Sequence, residues 1–562
     1  MAKKDYTNWD RKDLIKEIEQ LRKRKKYGLV WEDKPENVVE QCKTELPVLE
    51  EVKGKEIITD PDKPVNLLIE GDNYHALSVL NYTHKGKIDF IYIDPPYNTG
   101  NKSWKYNNDY VEKDDAFRHS KWISFIAKRL NLAKSLLKPD GIIVITIDDY
   151  EIGPTRLLMD EIYGEENRLG LITIVHNPRG RSDDLYFATS HEYALAYGKN
   201  SGKTTTYKIG LTEEQAENFP LEDEESRYRL LPLKRTGSNS TPKERPNLYY
   251  PIYFNPENNE ISLDKRDGFI SITPIDTDGN KRVWRWGKQA VLERKNTEIV
   301  IKKGKDDSFT VLAKDRIKEG RKPKTVWMDP KYDASSHGTM LLQKILGKRK
   351  TFDYPKSLYA VKDLLEIGLK EKKNAMILDF FAGSGTTGHA TLELNKDDGG
   401  TRNFILCTNN ESGISEDVCY PRIEKVIKGY SYSKKDINGL GGNLKYFQTS
   451  FVPADPTDKN KIALTKKATE MLCVKEDTFD EVKSTKQYKI FRNKKRYTGI
   501  VFDHQAIDDF KKEIAKIDGK FSLYVFSLGD DTFDEEFEDM KKKVKLSPIP
   551  EAILRVYRRI FK

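Results

Sequence analysis

Four consecutive residues, Asp94-Pro95-Pro96-Tyr97, follow the apolar run Ile88-Asp89-Phe90-Ile91-Tyr92-Ile93. This set suits the grip of a flat ring that carries an amino group. The carboxylate and a backbone carbonyl accept the two N–H protons, and the prolines hold those acceptors in place because their φ is locked. The tyrosine supplies a stacking face. Asp and Pro are also ordinary turn residues after a strand, so the tetrapeptide taken alone reads equally well as a turn.

A second motif lies nearly three hundred residues downstream, Met376-Ile377-Leu378-Asp379-Phe380-Phe381-Ala382-Gly383-Ser384-Gly385-Thr386-Thr387-Gly388. An apolar strand ends at Asp379, a small-residue turn follows, and a helix begins near Gly388. Glycines at such a turn let backbone approach a ligand and tolerate positive φ. The spacing Gly383-x-Gly385-x-x-Gly388 also satisfies the dinucleotide-binding pattern of nicotinamide and flavin enzymes. Against that reading, Asp379, Phe380 and Phe381 would crowd a pyrophosphate. They suit a neutral or cationic ligand such as S-adenosyl-L-methionine, whose amino-acid part carries an ammonium. The dinucleotide reading also leaves Asp94-Pro95-Pro96-Tyr97 unexplained. Glu411, after the strand 403–408, stands where ribose hydroxyls are held, which either cofactor requires.

The elements that must position these motifs can be read from apolar runs of four to seven residues. Strands are expected near 66–70, 88–93, 141–147, 171–176, 192–197, 375–379 and 403–408, separated by helical stretches such as 122–137. That alternation implies an α/β fold, a mostly parallel sheet with helices on both faces. The strands at 171–176 and 192–197 would close it as an antiparallel edge. Between the halves, 198–335 is polar, charged and dotted with aromatics (Tyr249, Tyr250, Tyr253, Phe254, Trp284, Trp286, Trp327). Strand-like pieces at Gly268-Phe269-Ile270-Ser271-Ile272 and Arg282-Val283-Trp284-Arg285-Trp286 suggest an inserted α+β module.

The chain has 562 residues, a net charge of +9 and four cysteines, which is enough for three or four domains. The modest basic excess permits nucleic-acid binding. Cys42, Cys407, Cys419 and Cys473 have no metal or disulfide spacing, so no metal is expected. Met1-Ala2-Lys3-Lys4-Asp5 has no apolar run behind it and no stretch is long enough to span a membrane, so a cytoplasmic protein is expected. The basic run Arg22-Lys23-Arg24-Lys25-Lys26 closes a charged helical stretch and reads as a solvated face or a phosphate contact. His75, His119 and His389 read as packing or capping residues, and His176 and His191 flank the closing strands.

The pair DPPYNTG at 94–100 and DFFAGSGTTGHA at 379–390 resembles the amino-methyltransferases of DNA, and the motif order, catalytic first, resembles their β-class. Segments 25–36, 66–77, 145–167, 190–200 and 407–430 resemble the modification (Mod) subunit of type III restriction-modification systems. The resemblance implies a Rossmann-like, circularly permuted methyltransferase fold with an inserted target-recognition domain. Its parts would be a charged helical region (1–60), the catalytic half of the core (61–197), the recognition domain (198–335), the cofactor half (336–452) and a C-terminal domain for subunit contact (453–562). If the strands ending at Ile93 and Asp379 are neighbours where strand order reverses, both motifs meet over one crevice.

The implied activity is methyl transfer from S-adenosyl-L-methionine to adenine N6 in a short asymmetric DNA sequence. Cytosine N4 is the rival target, although such enzymes more often carry serine in place of Asp94. A rival of another class is a recognition subunit that guides a helicase-nuclease. In the implied site Asp94 and the Pro95 carbonyl hold the amine, Pro96 stiffens the turn and Tyr97 stacks on the ring. Asp379 meets the methionine ammonium while Phe381, Ala382, Gly383, Ser384, Gly385 and Thr386 wrap the methionine part. Glu411 takes the ribose hydroxyls and Asp72 the adenine amine, while Lys356 and Ser357 contact the carboxylate. Asp72 and Ser357 also read as helix caps. The expected partners are double-stranded DNA with a flipped target base, at a cost of roughly a few kcal/mol, a second copy of the chain, and a restriction subunit.

Overall fold

The computed structural model describes residues 9–23, 31–107, 109–181, 185–211, 213–305, 307–318, 320–349, 352–529 and 531–561. The opening 1–5, residues 24–26 of the basic run, 25–30 of the first resembling segment, and Thr351 lie outside them. The chain divides into two compact units, Met1–Tyr207 with Lys324–Lys562, and Lys208–Pro323.

The larger unit is built on an eleven-stranded sheet. In chain order its main strands are β1 (Glu45–Glu51), β2 (Val65–Glu70), β3 (Ile88–Ile93), β4 (Leu137–Ile147), β5 (Arg168–Val175), β6 (His191–Gly198), β7 (Val326–Trp327), β8 (Met376–Asp379), β9 (Asn403–Thr408) and β10 (Asn443–Pro453). They lie in the order β1-β10-β2-β9-β8-β3-β4-β6-β5-β7, with Ile57–Ile58 paired to β10. From β10 to β4 every pairing is parallel. The helices used below are α1 (Asn73–Thr83), α2 (Arg118–Leu136), α3 (Leu358–Leu369), α4 (Thr386–Asp398), α5 (Tyr420–Lys428) and α6 (Glu551–Ile560).

The central strands are apolar because both faces are covered. All six residues of β3 are buried. Its one charge, Asp89, is bonded to Lys138 Nζ (2.7 Å) and to the Met376 backbone N–H (3.0 Å), as a buried carboxylate must be. The permutation is visible in the order: β9 and β8, from the C-terminal half, lie between β2 and β3 from the N-terminal half. From β3 the chain passes through α2 to β4 on one side, and from β8 through α4 to β9 on the other. The reversal point lies between β3 and β8, where ligands of such sheets bind.

Several boundaries differ from expectation. Within 1–60, Glu45–Glu51 is a sheet strand, antiparallel to β10; Leu46, Val48 and Leu49 are buried and drive it there. The antiparallel strands β6 and β5 are followed by β7, which pairs parallel to β5 and brings Trp327 into the larger unit, stacked on Tyr332. The smaller unit therefore runs 208–323, with 198–207 and 324–335 belonging to the larger. The C-terminal region carries its own five-stranded sheet. It shares a core with the eleven-stranded sheet, because Tyr524, Ile549, Leu554 and Tyr557 pack into the same cluster as Leu49 and Leu77.

The smaller unit holds a four-stranded and a three-stranded antiparallel sheet. Ile270–Ile272 is a strand, whereas 282–286 makes only the isolated bridge Lys234↔Trp284. Tyr250, Phe254 and Trp284 are buried in its core, so these aromatics stabilise the module and are not available to bases. Among the described residues no helix is long and apolar enough to cross a membrane.

Candidate active site

Asp94 leaves the mouth of β3 with its carboxylate a quarter exposed and held on both oxygens. Thr146 Oγ1 donates to Oδ1 (2.9 Å) and Lys356 Nζ lies 2.7 Å from Oδ2. Lys356 Nζ is also 3.4 Å from Glu192 Oε2 and 4.6 Å from the Tyr97 ring centroid. The Tyr97 hydroxyl donates to Glu192 Oε2 (2.8 Å). Burial pushes the Asp94 carboxyl above its ordinary value; Lys356 opposes this and Glu192 adds to it. For Lys356, burial disfavours the ammonium, but Asp94 and Glu192 outweigh it and hold its pKa above that of free lysine.

The loop behind the tetrapeptide is fastened at two further points. Trp122 Nε1 donates to the Pro96 carbonyl (2.7 Å). Asn98 adopts a left-handed conformation (φ 56°), and its amide donates to Glu151 Oε1 (2.5 Å). Glu151 is fully buried and also bonded to His119 Nδ1 (2.6 Å). These contacts fix acceptor and ring in place, with Lys356 over one face of the ring.

The neighbouring strand, β8, ends at Asp379, which is 2% exposed. Thr387 Oγ1 donates to Oδ2 (2.5 Å) and the Phe381 N–H to Oδ1 (2.9 Å). No ion pair to Asp379 is formed among the described residues. Burial pushes this carboxyl up to about 7, with the charge of Asp94 contributing. The turn that follows is left-handed at Gly383 (φ 48°) and Gly385 (φ 76°), and Ala382 N–H bonds the Cys407 carbonyl (3.1 Å). A Cβ on Gly383 would lie 3.1 Å from Phe352 Cζ. The Phe381 ring packs between those of Phe125 (5.8 Å) and Phe380 (5.3 Å).

The remaining expected residues each have protein partners. Ser384 and Thr386 are committed to a buried arginine: Arg422 Nη1 donates to Thr386 Oγ1 (2.8 Å), Ser384 Oγ (3.1 Å) and the Ser384 carbonyl (3.3 Å). Ser357 Oγ donates to the Lys331 carbonyl (2.8 Å). Asp72 caps α1, accepting from Tyr74 N–H (2.7 Å), and pairs with Arg129 (3.1 Å). Glu411 stays largely exposed and pairs with Lys105 of the hairpin Asn101–Tyr106/Asp109–Glu112. Asp72 and Glu411 follow β2 and β9, which are parallel neighbours ending at Glu70↔Thr408. Lys356, expected beside the cofactor, is placed instead in the Asp94 pocket.

Glu192, Thr146, Glu151, Arg129 and Arg422 were not singled out from the sequence. Thr146, Glu151, Glu192 and Arg422 sit in segments that carry the family resemblance, yet nothing about a lone Glu in an apolar strand marks it as a pocket residue. The one available signal was a charge inside a run that otherwise reads as buried.

The residues fit S-adenosyl-L-methionine. A buried carboxylate that forms no ion pair among the described residues caps a turn left-handed at Gly383 and Gly385, with the rings of Phe381 and Phe352 beside it. The family described as DNA methylase matches residues 88–417. The chain is 36% identical over 381 residues to the EcoPI Mod subunit, a type III restriction-modification enzyme of Escherichia phage P1, covering 62% of this chain and 58% of that one. It is 35% identical over 382 residues to the type II methyltransferase M.KpnI of Klebsiella pneumoniae, covering 67% and 88%. With the StyLTI Mod subunit of Salmonella typhimurium it shares 29% over 376 residues, covering 62% and 53%. The chain thus spans little more than half the length of these two Mod subunits.

Proposed function

This chain belongs to the DNA methylase family, and on that premise we propose that it methylates adenine N6 in a short asymmetric sequence of double-stranded DNA, using S-adenosyl-L-methionine, as the modification and recognition subunit of a type III restriction-modification system. The observation that carries this reading is the parallel pairing of β3 with β8. It sets an amine-gripping pocket beside a turn suited to a cationic amino acid.

An exocyclic amine is a poor nucleophile because its lone pair is delocalised into the ring. Asp94 and the Pro95 carbonyl accept hydrogen bonds from its two N–H groups and draw the nitrogen toward a tetrahedral shape. Thr146 and Lys356 keep the Asp94 carboxylate aimed, and Tyr97, anchored on Glu192, stacks on the ring. The bound donor supplies a methyl group already activated by its sulfonium. The protein's main task is therefore placement, together with stabilisation by Asp94 of the positive charge that develops on the nitrogen. The surplus proton leaves after transfer. Asp379 holds the methionine ammonium, the 381–386 turn wraps the methionine part, and Glu411 and Asp72 take the ribose and adenine ends.

The smaller unit, 208–323, is the proposed target-recognition domain. It combines cations with half-buried aromatics, as in Arg294 over Trp286 (5.1 Å), a combination that suits phosphate and base contact. A homodimer and a helicase-nuclease partner belong to the same reading.

The test is transfer of labelled methyl groups to unmethylated DNA, followed by digestion to nucleosides and mass spectrometry. N6-methyladenine supports the proposal, and N4-methylcytosine changes the base while keeping the pocket. DNA binding with no transfer leaves only a recognition subunit.

A further inference from the structure

Glu192 is a carboxylate inside a strand, 3% exposed, paired across the sheet with Ile174. Burying a carboxylate is unfavourable unless it is paired and hydrogen-bonded, so its contacts indicate what it is for. Its Oε2 accepts the Tyr97 hydroxyl at 2.8 Å and faces Lys356 Nζ at 3.4 Å. Both partners border Asp94: Lys356 by an ion pair of 2.7 Å, Tyr97 three residues along the same loop. The Lys356 ammonium also lies over the Tyr97 ring. One carboxylate oxygen thus ties together the stacking ring and the cation that aims the acceptor.

We infer that Glu192 is the positioning residue of the base pocket, fixing the plane of the Tyr97 ring and holding Lys356 between two carboxylates. The inference rests on the methyltransferase reading above. It assigns two separable effects to one side chain. The first is steric: a phenol tethered at its hydroxyl cannot swing, so the stacked base is held in the orientation that Asp94 requires. The second is electrostatic. With Asp94, Glu192 and Lys356 ionised the pocket carries one net negative charge, which favours an amine that becomes positive during transfer. Without Glu192 the Lys356 charge is balanced only by Asp94, and that advantage is cancelled.

Two substitutions separate these effects. Glu192→Gln keeps an oxygen for the Tyr97 hydroxyl and removes the charge. It is expected to lower kcat roughly ten- to a hundredfold with KM for S-adenosyl-L-methionine within about twofold. Glu192→Ala removes both effects. With 2-aminopurine in place of the mapped target adenine, the wild type and Glu192→Gln are expected to share one short fluorescence lifetime from the stacked base. Glu192→Ala and Tyr97→Phe are expected to lengthen it alike, and the double variant to lengthen it no further.

Wild-type kcat in both Glu192 variants, or lifetimes unchanged in Glu192→Ala and Tyr97→Phe, would overturn the inference. So would a loss of kcat matched by an equal loss of donor affinity. If Glu192→Ala does not fold, Tyr97→Phe still tests the tether and Glu192→Gln the charge. A wild type that transfers no methyl group contradicts the functional reading itself, and the lifetimes then still report on the Glu192–Tyr97 link.

Discussion

Leu378 of β8 and Ile91 of β3 are register partners in a parallel pairing. This single relationship makes Asp379 and Asp94, nearly three hundred residues apart in the chain, leave adjacent strand mouths at the reversal of the sheet. The two carboxylates sense each other: the charge of Asp94 adds to the burial that raises Asp379. A site that transfers a group between two ligands needs such adjacency, and the permuted strand order supplies it.

The raised Asp379 has a consequence for pH. Its carboxyl moves from an ordinary 3.8 to about 7, so the folded protein binds this proton more tightly than the unfolded chain. Its contribution favours the fold below about pH 4 and is lost as pH rises through 7. Donor binding runs the other way, because an ammonium is held by the ionised form. Calorimetric titration should show S-adenosyl-L-methionine affinity rising between about pH 6 and 8. In Asp379→Asn it should be weak and flat over that range. A pH-independent wild type would remove Asp379 from the ammonium site.

Gly388 marks the close approach of α4 to α5 and β9. A Cβ there would lie 2.8 Å from Ile423 Cδ1 and 3.0 Å from Leu406 Cδ1. Gly388→Ala is therefore expected to cost about 1–3 kcal/mol by overpacking, read as a lower midpoint in urea. Gly383→Ala, at φ 48° and 3.1 Å from Phe352, should cost roughly 1–2 kcal/mol of backbone strain and weaken donor binding as well.

The parallel core and both motifs were legible in the sequence because they rest on local signals: continuous apolar runs such as 88–93 and a glycine turn after a carboxylate. The neighbours of those motifs were not. Glu192 reaches Tyr97 from ninety-five residues away, and Lys356 reaches Asp94 from far beyond the smaller unit. Such pairs depend on strand order, which apolar periodicity does not encode. The aromatics of the smaller unit misled for a related reason. Tyr250, Phe254 and Trp284 are spaced like a contact surface, but a small module needs its largest side chains for its own core. Trp327 lies in the larger unit and not in 198–335 as expected, because a two-residue strand leaves almost no pattern in a sequence.

Arg129 links Glu36 and the start of α1 to the segment after β8. It is fully buried on α2, pairs with Glu36 (2.7 Å) and Asp72 (3.1 Å), and its Nε bonds the Asn73 amide oxygen. Asn73 in turn donates to the Phe380 carbonyl (2.9 Å). Arg129→Met leaves two carboxylates without their cation and should cost about 3–5 kcal/mol, measured by urea unfolding. Arg129→Lys should restore only part of that, since one ammonium cannot reproduce the forked contacts. A loss below about 1 kcal/mol would show that the network contributes little.

The most direct test is single-molecule sequencing of unmethylated DNA incubated with S-adenosyl-L-methionine and either the wild-type chain or Asp94→Ala. The expected result is N6-methyladenine at one short asymmetric sequence with the wild type and none with Asp94→Ala, while the variant keeps its fold and its donor affinity. Methylation that persists in Asp94→Ala at the wild-type rate would contradict the assignment of the 94–97 pocket as the place where the base is held.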